Sequence, residues 1–179
     1  MKEIDLSRFA PRSDLADEII TGSNETHEYS VINKKYKDVN ISYITIHKDN
    51  NSFNKKKGDY VSIEFQNIED QKNRDVVKDV LVDNLKIMIQ KFSLNDNSKV
   101  LVVGLGNEEM VSDSIGPKTI NQILVSAHLF ELNEKVHPGI NNCAAIAPKV
   151  MGQTGLESAK IVKAIVDFYK PNFFLVVDA

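Results

Sequence analysis

The chain has 179 residues, 42% of them hydrophobic and 26% charged, which is enough apolar side chain for one compact α/β domain and too little for two large ones. A net charge of −3 gives no electrostatic footprint for direct nucleic-acid binding, no run approaches the ~18 apolar residues of a membrane helix, and no secretory signal is readable at the start, so a cytoplasmic protein is expected. The single cysteine, Cys143, excludes an internal disulfide and a cysteine-rich zinc site; set in an apolar run, it reads as a small packed residue.

In chain order, the first forty residues are polar and interrupted by Pro11, Gly22 and Ser23-Asn24-Glu25-Thr26, and they suggest a detachable arm. Ile41–Ile46 and Tyr60–Phe65 are β-branched and aromatic runs with partial alternation, which predicts a long β-hairpin. Between them lies a basic cluster, Lys55-Lys56-Lys57-Gly58. Flanked by Asn54 and Asp59, it reads as a solvated turn, with a phosphate or substrate contact as the alternative. From Asp70 to Phe92 the apolar positions Val76, Val77, Val80, Leu81, Leu85, Met88, Ile89 and Phe92 recur at helical spacing.

Val100–Gly104 is a continuous β-branched run of the kind buried on both faces of a parallel sheet. After a loop, Gly116-Pro117 opens a second helix with the apolar stripe Ile120, Ile123, Leu124, Ala127 and Leu129. Ala144–Ala147 forms a short strand ended by Pro148. Thr154-Gly155-Leu156-Glu157 has the form of a capping box, opening a helix through Ile161, Ile165, Val166 and Phe168 that Pro171 closes. Phe173–Val177 is a further strand of buried type and delivers Asp178 at its end. The order β-α-β-α-β predicts a mainly parallel sheet flanked by helices. Because an open sheet normally continues with a covering helix, a C-terminal remainder is expected beyond Ala179.

In such sheets, catalytic groups collect at the carboxyl ends of the strands. Asp113 falls there, in the loop containing Gly104, Gly106 and Gly116, and so does Asp178. A carboxylate pair at one sheet edge can share a proton, one member acting as base on water and the other as acid. The competing reading makes Asp113 a helix cap, with Ser112 and Ser114 as rivals, and lets both aspartates merely satisfy loop amides. Glu108 and Glu109 read first as solvated acids. Gly104-x-Gly106 lacks the third glycine of a dinucleotide fingerprint, no Gly-x-Ser-x-Gly elbow is present, and His27, His47, His128 and His137 share no metal-ligand spacing. No metal or cofactor is expected.

Several segments together resemble the germination proteases of spore-forming Firmicutes: Ile4-Asp5-Leu6-Ser7, Arg12-Ser13-Asp14-Leu15-Ala16, Lys55–Val61, Leu101–Asn107, Asp113–Lys118, Ala145–Glu157 and Val177-Asp178-Ala179. The resemblance runs collinearly over nearly the whole chain. It implies a tetrameric endopeptidase of the spore core that degrades small acid-soluble spore proteins. It also implies a zymogen, with residues 1–14 a propeptide released at Asp14-Leu15 and residues 15–179 the N-terminal part of a protease domain. The essential aspartates of that family fall on Asp113 and Asp178. The fold expected is a three-layer sandwich of the phosphorylase/hydrolase-like kind, with a propeptide arm and a β-hairpin. The glycine loop with Asp113 also resembles the nickel-recognising hydrogenase maturation endopeptidases, which is the alternative enzyme reading. A non-catalytic binding or assembly module is the alternative of a different class.

Overall fold

The computed structural model describes residues 27–52, 54–95, 97–132 and 134–179. The expected propeptide and its junction Asp14-Leu15 lie outside the described residues. The chain divides into two compact units, Met1–Met88 and Ile89–Ala179. It is α/β in class, with one antiparallel and one parallel sheet of three strands each.

In the first unit, β1 (Tyr29–Tyr36), β2 (Val39–Ile46) and β3 (Gly58–Glu64) form an antiparallel sheet in that order. The hairpin of β2 and β3 is the one the sequence predicts. β1 corrects the expected arm: residues 29–36 pair along their whole length with β2, from Tyr29 opposite Ile46 to Tyr36 opposite Val39. The polar residues of β1 hid it because its last five positions are exposed. β2 is central, and both of its faces are buried. Val39 and Ile41 pack with Val77 and Val80 of α1 (Gln71–Gln90), while Ile44 and Ile46 cluster with Val31 and Tyr60. Two-sided burial explains why the alternation of β2 is only partial in sequence. The Lys55-Lys56-Lys57 segment is part of the β2–β3 connection, where the Lys57 amide donates to Asp49 Oδ1 at 3.0 Å and the Tyr60 hydroxyl donates to the Lys56 carbonyl at 2.6 Å.

In the second unit, β4 (Lys99–Gly104) is the central strand, flanked by β5 (Asn142–Ile146) and β6 (Phe173–Val177), all parallel. Leu101, Val102 and Val103 are buried, as a strand covered on both faces requires. The predicted second helix is instead two short ones, α2 (Ile115–Ile120) and α3 (Ala127–Glu131). Between them the Ser126 amide donates to the Cys143 carbonyl at 2.9 Å, and the Cys143 amide donates to Ser126 Oγ at 3.1 Å. Those bonds draw the backbone onto β5, which a continuous helix cannot do, and Leu124 of the expected stripe is 73% exposed. Burial on β5 pushes the Cys143 thiol above its ordinary value.

The predicted capping box does not form. The Thr154 hydroxyl accepts the Leu156 amide at 3.1 Å within a tight turn closed by Gly155 at φ 72°, so it serves the end of the single-turn helix α4 (Met151–Thr154). Helix α5 (Ser158–Tyr169) starts four residues later, with Glu157 at its N-cap. It ends at Lys170, in a left-handed conformation, ahead of Pro171. β6 is an outer strand of the three described, with Phe174 50% and Val176 42% exposed.

What positions the loop after β4 is backbone packing at glycines. A Cβ on Gly104 would lie 2.3 Å from the Gly116 carbonyl oxygen. One on Gly116 would lie 2.1 Å from the Leu105 oxygen and 2.7 Å from the Val177 oxygen. The start of α2 is therefore pressed against the ends of β4 and β6, closer than any side chain permits. The Leu105 amide extends the β4–β6 ladder by one step, donating to the Val177 carbonyl at 2.8 Å.

Two stability measurements check this account. Ile44→Ala should cost about 3 kcal/mol in denaturant unfolding, the usual loss for a fully buried aliphatic residue; a loss below about 1 kcal/mol would contradict its place in the core. Gly116→Ala should destabilise by at least about 3 kcal/mol, because the blocking atoms are backbone and cannot rotate away. Gly152→Ala is the control: nothing lies within 4 Å of its Cβ position, and it should change stability by less than about 1 kcal/mol.

Candidate functional site

The crossovers of the second unit reverse direction. The chain leaves β4 for β5 on one side, then passes to β6 on the other. The carboxyl ends of β4 and β6 thus flank a topological switch point, the place where open α/β sheets generally carry their sites. Asp113 comes from the loop after β4, and Asp178 directly follows β6. Gly104 pairs with Val177, so the strand ends from which the Asp113 loop and Asp178 depart are neighbours in the sheet.

Asp113 ends a short 3₁₀ turn, Val111–Asp113, and its side chain is half-buried. Its position follows from Gly106, whose φ is 117°; a Cβ there would meet the Asp113 carbonyl oxygen at 2.2 Å and the carboxylate Oδ1 at 2.9 Å. The Asn107 amide donates to the Asp113 carbonyl at 2.8 Å and to its Oδ2 at 3.0 Å. The loop is closed further by the Met110 amide on the Asn107 carbonyl at 3.1 Å and the Asp113 amide on the Met110 carbonyl at 2.9 Å. Asp113 does not cap α2. The N-cap of that helix is Ser114, whose hydroxyl donates back to the Val111 carbonyl at 3.0 Å. Of the bland alternatives, then, capping is absent, whereas the carboxylate does accept a loop amide.

Asp178 is exposed, and its Oδ1 accepts the amide of its neighbour Ala179 at 3.0 Å. Gly104, Gly106 and Gly116 each stand where a side chain would collide with this loop or with the strand ends. Glu108 and Glu109 are exposed, and the Glu108 carboxylate accepts Asn121 Nδ2 at 3.1 Å. Among the described residues no group of three or more His, Cys, Asp and Glu side chains is placed to hold a metal ion.

Two residues near Asp113 carry no role in the sequence reading. Asn107 follows Gly106, and its Oδ1 accepts the Glu109 amide at 3.0 Å and Gln153 Nε2 at 3.1 Å. A Gly-Asn pair after a buried strand is a turn signal that marks Asn107. Nothing in the spacing of Gln153, 46 residues away, announces the contact.

A family model for germination protease matches residues 12–179. The germination protease of Priestia megaterium is 34% identical over 192 residues, an alignment covering 99% of this chain and 52% of the relative. That of a Geobacillus species is 34% identical over 194 residues, covering 99% and 52%. That of Oceanobacillus iheyensis is 35% identical over 163 residues, covering 89% and 44%. The chain thus spans about half the length of the curated relatives it matches. With a match extending from before the first strand through both aspartate-bearing strand ends, the chain belongs to the germination protease family.

Proposed function

We propose that the full-length protein is an endopeptidase in which Asp113 and Asp178 activate water. The observation that supports this reading is that the loop bearing Asp113 and the residue Asp178 both leave the carboxyl ends of adjacent parallel strands, at the switch point of the sheet. One carboxylate takes a proton from water as its oxygen attacks the peptide carbonyl, and the other, protonated, gives its proton to the departing amide nitrogen. Peptide and water give a free carboxyl group and a free amine, and the pair has exchanged its proton. No side chain at the site is placed as a covalent nucleophile in this scheme.

Family membership supports the rest of the reading. The enzyme is made as a zymogen and cleaves itself at Asp14-Leu15. It degrades small acid-soluble spore proteins in the spore core, and it acts as a homotetramer. In the complete protein the three-stranded parallel sheet extends into a three-layer sandwich, because right-handed crossovers in opposite directions put helices on both faces.

The test is to make Asp113→Asn and Asp178→Asn in the full-length protein. Each should lower kcat on a protein substrate by about 10²- to 10⁴-fold, the range for loss of a general acid or base, with the folded state unchanged by circular dichroism. New N-termini at Leu15 should be lost in parallel. Normal processing in either variant would reject the pair.

A further inference from the structure

We infer that Gln153 is a positioning residue for Asp113, acting through Asn107; the inference rests on the aspartate reading above. Asn107 is the residue whose amide meets the Asp113 carboxylate, at 3.0 Å. Its own side-chain oxygen has two acceptor sites, and both are taken. One receives the Glu109 amide at 3.0 Å, a local turn bond; the other receives Gln153 Nε2 at 3.1 Å, a tie from a different crossover. The residue that presents a donor to Asp113 is therefore held from both sides.

Gln153 is itself firmly seated. It lies on the single turn α4, where the Gly155 amide donates to the Met151 carbonyl at 2.8 Å. The Ser158 hydroxyl donates to the Lys149 carbonyl at 2.7 Å and ties the two ends of the segment together. Lys149 and Gly155, at φ 63° and 72°, fold the backbone sharply on either side of the turn. The loop after β5 thus braces the loop after β4.

Gln153 is exposed, so its hydrogen bond contributes little to global stability. A catalytic carboxylate is more demanding, since a displacement near 1 Å can cost about 100-fold in rate. The role requires a donor at position 153. Glutamate has the same shape without the donor, alanine lacks both, and lysine restores a donor.

In the full-length protein, Gln153→Glu and Gln153→Ala should each lower kcat about tenfold, with KM within about twofold and Tm within about 2 °C of the wild type. Gln153→Lys should keep kcat within about threefold. Adding Gln153→Ala to Asn107→Ala should lower kcat no further than Asn107→Ala does. Hydrogen–deuterium exchange of residues 105–114 should quicken several-fold in the Glu and Ala variants and not in the Lys variant. Wild-type kcat and exchange in Gln153→Glu would overturn the inference, as would equal losses in the Glu and Lys variants. If Asp113→Asn retains full turnover, the aspartate reading falls by itself; the exchange comparison then decides whether Gln153 holds the loop.

Discussion

The close approach of backbone at Gly104, Gly106 and Gly116 is the constraint on which the second unit depends. Three chain segments meet there: the end of β4, the start of α2 and the end of β6. They meet at distances that leave no room for even one methyl group. The packing is backbone on backbone, so it cannot relax by changing a rotamer. It fixes the direction of the loop leaving β4 and, with it, where Asp113 is held.

The two ends of the strands in this unit are tied differently. At the amino ends, the Lys99 amide donates to Asn172 Oδ1 at 2.8 Å and the Asn172 amide returns to the Lys99 carbonyl at 2.9 Å. The Tyr169 hydroxyl donates to Asn142 Oδ1 at 2.8 Å, and Lys99 Nζ lies 5.1 Å from the centre of the Tyr169 ring. Burial, with the Cys143 thiol beside it, holds that phenol above its ordinary value. These bonds stitch the strands together at their amino ends. The carboxyl ends are tied mainly through the glycine loop and its hydrogen bonds.

Most of the elements could be read from local pattern. The helix across Val77 and Val80, the β2–β3 hairpin, the buried run at Leu101–Val103 and the strand before Asp178 all carry a periodicity or a continuous apolar run. Two of the misses depend on a partner distant in sequence, and the third on a local turn. β1 is polar, and only its pairing with β2 makes it a strand. The helix expected after Pro117 breaks because Ser126 bonds Cys143 on β5. Thr154 looks like a cap but serves its own turn, since Gly155 takes the chain out of helical geometry before Glu157.

By itself the sequence determined the α/β class, the strand-end placement of Asp113 and Asp178, and the glycines that allow their loop, because these follow from hydrophobic period and from backbone freedom at named positions. The tertiary structure alone decided that β4 and β6 are neighbours, which turns two separate strand ends into one edge. It alone brought Gln153 to Asn107. Strand order and contacts across 46 residues arise from how packed layers close, and no local period in a chain encodes that.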